Sequence, residues 1–318
     1  MKTSDERNAS PERTDFGLVF DIRRFSTHDG TGIRTNIFFK GCPLRCVWCQ
    51  NPEGLEGKAR PVYFEGKCIK CGTCLEKAKQ GGVYLDEDKK IRLRRNQEDD
   101  WDTIIDSCPT GAISMDARYY TVEQLVAEAE RDRVFYRNDG GVTVSGGEPL
   151  MQGKFVVRLL AALQERGIHT AIETSLMAPT EVLEKCAEHL DLIYSDMKLI
   201  HAQEHRRFTK VDNDQIRRNL QWLLTSKHRD KVIIRTPLIP TMTATEHNLA
   251  AIAEFLSGLY ADVRYELLNY NPLAEAKYHL VDMEYCFTEN PKMYRREEMI
   301  RFGEIVRDHG IRNLILEV

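Results

Sequence analysis

Seven of the nine cysteines in this chain of 318 residues fall between Cys42 and Cys108. The first three lie in Gly41-Cys42-Pro43-Leu44-Arg45-Cys46-Val47-Trp48-Cys49-Gln50-Asn51-Pro52-Glu53, a C-x3-C-x2-C loop. Asn36 to Lys40, just before it, reads as a strand. In a reducing compartment, thiols crowded this way are metal or redox ligands, not disulfide partners. Three thiolates on one short loop suit a cubane [4Fe–4S] cluster whose fourth iron has no protein ligand. That open iron can take a small chelating molecule. Zinc fits less well, because a structural zinc site wants four ligands and no further Cys or His lies nearby. Cys186 and Cys286 stand alone and read as half-buried structural thiols.

The rest of the chain must carry that loop on a scaffold, and its periodicity says which. Strands are expected at Gly17–Phe25, Asn36–Lys40, Gly141–Ser145, His169–Glu173, Leu190–Asp196, Lys231–Thr236, Asp262–Leu268 and Arg312–Glu317. Helices are expected between them: Thr121–Phe135, Lys154–Arg166 with Gly167 as stop, Pro179–Glu188, Asp214–Thr225, Thr245–Ser257 and Arg295–Asp308. Repeated βα units imply a parallel sheet with helices outside, and six to eight strands favour an open or closed (β/α) barrel. Chemistry in such barrels gathers at the C-terminal strand ends. Residues 60–113 break the pattern, being Lys-rich, Cys-containing and without a long helical period, and read as an insert. The expected organisation is a polar tail at 1–15, a barrel at 16–59 and 114–318, and the insert between.

Formal net charge is −4, which gives no global attraction to nucleic acid or anionic lipid. Met1 to Asp15 has no apolar core of a signal peptide. No apolar run approaches the ~20 residues that span a bilayer. A cytoplasmic location is the expectation, with no membrane and no nucleic-acid partner.

C-x3-C-x2-C resembles the signature of the radical S-adenosylmethionine (SAM) superfamily. His28-Asp29-Gly30-Thr31-Gly32-Ile33-Arg34-Thr35 and Cys49-Gln50-Asn51-Pro52-Glu53 look, within it, like the glycyl-radical enzyme activating enzymes. That family usually has Pro where this chain has Thr31. The resemblance implies a partial (β/α) barrel of the radical SAM type and covers nearly all of the chain beyond the tail. Asp29 and Arg34 are then expected near the glycine loop of the partner enzyme.

The second cysteine set is Cys68-x2-Cys71-x2-Cys74 with Cys108-Pro109 downstream. Two-cluster bacterial ferredoxins use C-x2-C-x2-C-x3-C-P runs in which the fourth Cys serves the other cluster. Here the fourth position of the first run is Ala78. The positions that would open the second run are Glu98, Trp101 and Ile104. One complete ligand set is gone and the other, Cys68, Cys71, Cys74 and Cys108, is intact. The insert therefore resembles a ferredoxin-like module with one auxiliary [4Fe–4S] cluster, with Trp101 and Ile104 filling the vacated space. Whether that cluster carries electrons or only holds structure stays open.

Val144-Ser145-Gly146-Gly147-Glu148-Pro149 follows a strand. A Gly pair allows close approach to the backbone, and Glu148 can accept from an ammonium group. By resemblance this is the segment that binds the SAM amino group. Resemblance likewise puts Lys198 and Arg235 at the SAM carboxylate, which a cation and a guanidinium fork suit. Glu173, Thr174 and Asp196 would lie beside them, and Asn271 would contact SAM. A monovalent cation held here by some members stays open, because this chain has Glu173 where Asp is usual.

The resemblance implies an enzyme that reductively cleaves SAM to a 5′-deoxyadenosyl radical and takes a hydrogen atom from a glycine of a partner glycyl radical enzyme. A flavodoxin or ferredoxin would be the reductant. Two alternative readings are a radical SAM enzyme with a small-molecule substrate, and a two-cluster electron carrier. A carrier has no need of Glu148, Lys198 and Arg235. The Asp29–Thr35 and Asn51–Glu53 matches disfavour a small-molecule substrate.

Overall fold

Short apolar runs rich in Val, Ile and Phe become the strands of the computed structural model, which describes residues 15–281 and 283–316. Most of the polar tail, residues 1–14, lies outside them. The strands are β1 (Gly17–Ser26), β2 (Arg34–Phe39), β3 (Pro61–Tyr63), β4 (Val83–Leu85), β5 (Ile91–Leu93), β6 (Ile113–Met115), β7 (Arg118–Tyr120), β8 (Gly141–Gly146), β9 (His169–Thr174), β10 (Leu192–Asp196), β11 (Val232–Pro237), β12 (Arg264–Leu268) and β13 (Asn313–Leu316). The helices are α1 (Thr73–Lys77), α2 (Trp101–Asp106), α3 (Val122–Glu130), α4 (Arg133–Tyr136), α5 (Gly153–Glu165), α6 (Thr180–Ala187), α7 (Ala202–Thr209), α8 (Asp214–Thr225), α9 (Glu246–Leu259), α10 (Glu275–Tyr278) and α11 (Arg296–Asp308).

Nine strands form one sheet in the order β13-β12-β11-β10-β9-β8-β2-β1-β7. From β2 to β13 every neighbouring pair is parallel. The order does not close on itself, so the barrel is partial. Two features depart from a plain βα repeat: β1 runs antiparallel to β2, and β7 runs antiparallel to β1. A hairpin linking β1 to β2, with no helix between, forces that reversal.

Period-two alternation divides each inner strand between two environments. Ile172, Ile193, Ile234, Tyr265 and Leu267 face the helices and join the main core. Ala171, Leu192, Tyr194 and Ile233 form a small separate cluster on the other face. Glu173, Asp196, Arg235 and Glu266 follow these at the C-terminal strand ends, as a barrel with its chemistry at that rim requires.

Two helix expectations need correction. The single helix read over Thr121–Phe135 breaks between α3 and α4, although a Thr121–Gln124 capping box starts it well. Asp132 at the break is buried and turned inward, accepting from Thr35 Oγ1 at 2.7 Å and Arg24 Nη1 at 3.0 Å. Helix α7 was not read at all. Only His205 and Thr209 of it are buried, so it lacks the apolar stripe that marks a helix in sequence.

Residues 60–116 stand off the barrel on an antiparallel stem of β3 and β6. The segment has its own small core of Cys74, Val83, Ile91, Ile104 and Ile113. Trp101 and Ala78 pack against it, while Glu98 is exposed. Ile104 is wholly buried. Changing Ile104 to Ala should cost the insert about 2–4 kcal/mol. Limited proteolysis should then cut faster within 60–116 while the barrel fragment survives; equal loss of both would mean the insert has no separate core.

Candidate active site

The Cys42–Cys49 loop leaves the C-terminal end of β2 and is fastened on three sides. Gly41 N–H donates to Gly54 O at 2.8 Å and Cys42 N–H to Leu55 O at 3.1 Å. Arg45 and Val47 N–H groups donate to Thr209 and Phe208 carbonyls at 2.8 and 3.0 Å, so α7 forms one wall. The Arg45 guanidinium donates to Cys42 O. Burial pushes the Cys42 thiol well above its ordinary range, and the Glu148 carboxylate and Cys46 push it further. Burial and then Cys46 push the Cys49 thiol up to about 12. Buried thiols this close to one another become thiolates only with a positive partner, which the irons of a cluster supply. Among the described residues no three Cys, His, Asp or Glu side chains converge to chelate a single metal ion. Three spaced sulfurs on a braced loop fit a cluster better than one zinc.

The Gly146–Glu148 turn lies directly beneath. Gly146 has φ +123°, and Gly147 and Glu148 N–H groups donate to Phe39 and Gly41 carbonyls at 2.8 and 2.7 Å. A Cβ on Gly147 would lie 2.4 Å from Gly41 O and 2.5 Å from Gly54 O. The glycines thus admit the cysteine loop. Glu148 is wholly buried. Its carboxylate accepts from Thr174 Oγ1 (2.7 Å), Ser175 N–H (2.8 Å), Ser175 Oγ (2.6 Å) and Leu150 N–H (3.1 Å). Burial raises its pKa, and these donors pull it back.

On the concave face Arg235 sits between two carboxylates, 2.7 Å from Glu173 and 2.6 Å from Glu266. Its guanidinium lies 3.5 Å over the Tyr194 ring. The other Glu173 oxygen accepts from Ser145 Oγ at 2.6 Å. Lys198 pairs with Asp196. Burial works against the Lys198 ammonium, but Asp196 and the Cys46 and Cys42 thiols hold its pKa above the ordinary lysine range. Lys198 therefore stands on the same rim as the cysteine loop. Glu173 and Asp196, the carboxylates that a monovalent cation would use, already face Arg235 and Lys198.

A model of the radical SAM superfamily matches residues 36–256. The chain is 36% identical over 307 residues to the indoleacetate decarboxylase activating enzyme of Tractidigestivibacter scatoligenes, across 94% of this chain and 96% of that one. It is 38% identical over 273 residues to the isethionate sulfite-lyase activating enzyme of Desulfovibrio desulfuricans, across 84% and 87%. It is 37% identical over 287 residues to the (2S)-3-sulfopropanediol dehydratase activating enzyme of Klebsiella oxytoca, across 88% and 90%. The chain belongs to the glycyl-radical enzyme activating enzymes of the radical SAM superfamily. Among solved structures, Streptococcus suis SuiB bound to precursor peptide SuiA aligns with 87% of this chain and 46% of its own, with a TM-score of 0.50 and 12% identity, a likeness of fold alone.

Within this activating enzyme, Asp29 and Arg34 part company. Asp29 is half-buried, accepts from Asn36 Nδ2, and adds its charge to that felt by Glu173 on the concave face. Arg34 is wholly buried at the start of β2. It donates to Thr143 Oγ1 and Val142 O, both at 2.7 Å, and lies 3.3 Å from His169 Nδ1. Burial lowers its pKa to about 10. The strand carries it roughly 16 Å from Phe39 and the cysteine loop. Arg34 thus ties the N-terminal ends of β2, β8 and β9.

Asn271 is exposed, and its side chain accepts from Leu273 N–H at 3.0 Å. Its carbonyl takes Gln50 Nε2 at 3.2 Å, so it borders the cysteine loop. Two residues of α10 do more there and were missed in the sequence. Lys277 Nζ donates to Gln50 O (2.9 Å) and Asn51 Oδ1 (2.8 Å) and pairs with Glu53 (3.0 Å). Tyr278 OH donates to Cys49 O at 3.0 Å. A lone Lys-Tyr pair in a polar stretch carries no pattern to find it by. Tyr194 was missed too, whereas Ser175 and Glu266 lie in the Glu173-Thr174-Ser175 and Glu266–Leu273 segments that the resemblance places near SAM, without a role of their own.

In the insert, Cys68, Cys71, Cys74 and Cys108 line one pocket. Cys68 Sγ takes Lys70 N–H at 3.3 Å, and Cys71 Sγ takes the Thr73 hydroxyl at 3.5 Å. That hydroxyl and the Thr73 N–H lower the Cys71 pKa. At Cys108 burial opposes the thiolate, and the N–H groups of Ile113, Thr110 and Ala112 outweigh it. Four cysteines thus line one pocket, and hydrogen-bond donors reach the sulfurs of Cys68 and Cys71.

Changing Lys277 to Met should leave the far-ultraviolet circular dichroism of the enzyme unchanged. It should lower the iron retained after desalting by about twofold or more, since the exit of the cysteine loop loses its cation. Gly147→Ala should be worse, destabilising the fold by more than about 2 kcal/mol, because only backbone is available to yield. Wild-type thermal stability in Gly147→Ala would contradict the contact.

Proposed function

We propose that this activating enzyme binds SAM between the Cys42–Cys46–Cys49 loop and Lys198, and docks the glycine loop of a glycyl radical enzyme over the same rim. The observation that carries it is the Lys198–Asp196 pair at the C-terminal end of β10, on the rim to which β2 delivers the cysteine loop. A cation beside a thiolate cluster is where a SAM carboxylate finds charge. A [4Fe–4S] cluster held on this loop would supply the single electron for reductive cleavage of the SAM sulfonium, the chemistry from which hydrogen-atom abstraction at a glycine Cα of the partner follows.

The chain's own residues supply position and charge. Cys42, Cys46 and Cys49 would hold three irons of the cluster. Gly146 and Gly147 let the loop lie flat on β8. Glu148 organises Thr174 and Ser175, and the backbone around it faces the amino group. Lys198 meets the carboxylate, released from Asp196 as the ligand's charge arrives. Arg235 acts through Glu173, which it holds upright against Ser145, and Asn271 closes the side nearest Gln50. Tyr194 and the small apolar cluster below it exclude water from the concave face, where a reactive carbon radical must be protected from side reactions. The 60–113 insert is ferredoxin-like, with one auxiliary [4Fe–4S] cluster on Cys68, Cys71, Cys74 and Cys108. A flavodoxin or ferredoxin delivers the electron in the cytoplasm.

Mixing the reduced, SAM-loaded enzyme with the glycyl radical enzyme encoded beside it should produce a glycyl doublet in electron paramagnetic resonance, with 5′-deoxyadenosine formed alongside. Cys42→Ala should abolish both. If 5′-deoxyadenosine forms and no partner ever acquires the doublet, the protein-substrate reading fails. Changing Cys68 to Ala should reduce iron from about eight to about four per chain while the SAM-responsive signal persists; unchanged iron would remove the auxiliary cluster.

A further inference from the structure

The insert joins the barrel at two chain crossings, Arg60 and Asp116, and both meet one side chain. Arg60 N–H donates to Asp116 Oδ1 at 2.8 Å, and Asp116 N–H donates back to Arg60 O at 2.9 Å. The other Asp116 oxygen lies 2.5 Å from Lys40 Nζ. That ammonium also donates to Glu53 O at 2.9 Å. The Lys40 carbonyl accepts from Gln152 Nε2 at 2.8 Å, which ties the same residue to the turn before α5. The Lys40 side chain is 1% exposed and that of Asp116 9%. Lys40 precedes Cys42 by two residues, and Glu53 follows Cys49 by four. One buried ammonium therefore bonds both ends of the cysteine loop and the base of the inserted module.

A buried ion pair is a poor way to gain stability, since apolar residues of similar size commonly do as well or better. What such a pair does supply is a directional, single-register contact. Apolar packing would let the stem slide or tilt on the barrel. A charge with two fixed acceptors does not.

We propose that Lys40 is a positioning residue that fixes the inserted module against the SAM-cluster loop and so sets the spacing of the two iron–sulfur sites. The proposal rests on reading Cys68, Cys71, Cys74 and Cys108 as ligands of an auxiliary cluster. No other joint between insert and barrel combines a burial this deep with contacts to both partners among the described bonds of the stem. The ammonium works as a pivot with its play removed.

The test is the double variant K40M/D116N, which leaves neither charge buried alone. The reconstituted holoenzyme is reduced photochemically and examined by electron paramagnetic resonance, with hydrogen exchange at 60–63 and 113–116 measured in parallel. Iron content and the SAM-induced change at the first cluster should match the parent. Magnetic broadening between the two reduced clusters should weaken at least twofold, and the stem amides should exchange about tenfold faster. Unchanged broadening overturns the proposal. So does faster exchange spread evenly over the barrel, which marks a merely structural role. If the parent shows no broadening and Cys68→Ala keeps all its iron, the auxiliary-cluster reading has failed instead. Stem exchange then decides for Lys40 by itself: local acceleration supports the pivot, and no acceleration overturns it.

Discussion

The contact on which the site depends is backbone against backbone, where the end of β2 crosses the end of β8. Phe39 O and Gly41 O accept from Gly147 and Glu148 N–H groups, and Gly41 N–H reaches back to Gly54 O. The loop buries Leu44 and Trp48, but its backbone takes its shape from neighbours that already have one. The parallel register of β2 and β8 sets that shape, pairing Phe38 with Ser145 and Phe39 with Gly146. Both glycines are required by that closeness. The same turn delivers Glu148 into the interior, where its four donors come from β9 and from the turn that follows β8. Three adjacent strand ends are thus bound into one unit before any ligand arrives.

Above that unit the charges are balanced pairwise. Arg235 with Glu173 and Glu266, and Lys198 with Asp196, place cations and carboxylates in a half-buried cleft. Removing one partner of such a set costs about 3–5 kcal/mol, because the other charge is stranded. Pairing lets the cleft stay polar without collapsing, and it leaves Lys198 movable, since Asp196 is more exposed than the lysine it holds. An anionic ligand group can then trade places with Asp196 at small net cost. Arg235, locked between two carboxylates and stacked on Tyr194, has no such freedom. The sequence gives no sign of that difference, since the resemblance puts both Lys198 and Arg235 at the SAM carboxylate.

Much of the framework was legible in the residues because local pattern and fold agree. The strand at His169–Glu173 and the helix at Lys154–Arg166 lie within a residue or two of their observed places. There, apolar period and helix stop coincide. Ile104 lies wholly buried in the insert's core, and Trp101 packs against it. What failed was anything decided across the sheet. Asp132 breaks a good helical pattern because Thr35 and Arg24, about a hundred residues away, claim its carboxylate. Lys277 and Tyr278 act on a loop over two hundred residues distant.

Arg34 shows how far a strand can carry a motif residue from the loop that follows it. It lies six residues after the start of a glycine-rich turn and eight before Cys42, so proximity in sequence suggests proximity in the site. The intervening strand is straight, however, and a straight strand separates what it joins. Arg34 ends at the far pole of the barrel, where its donors hold Thr143, Val142 and His169 and so fix the starts of three strands. Parallel strands fixed at their starts have their ends fixed as well, because register carries along the whole ladder. The guanidinium therefore governs the cysteine loop from the opposite end of β2, through the alignment of β2 on β8 that the glycine turn requires.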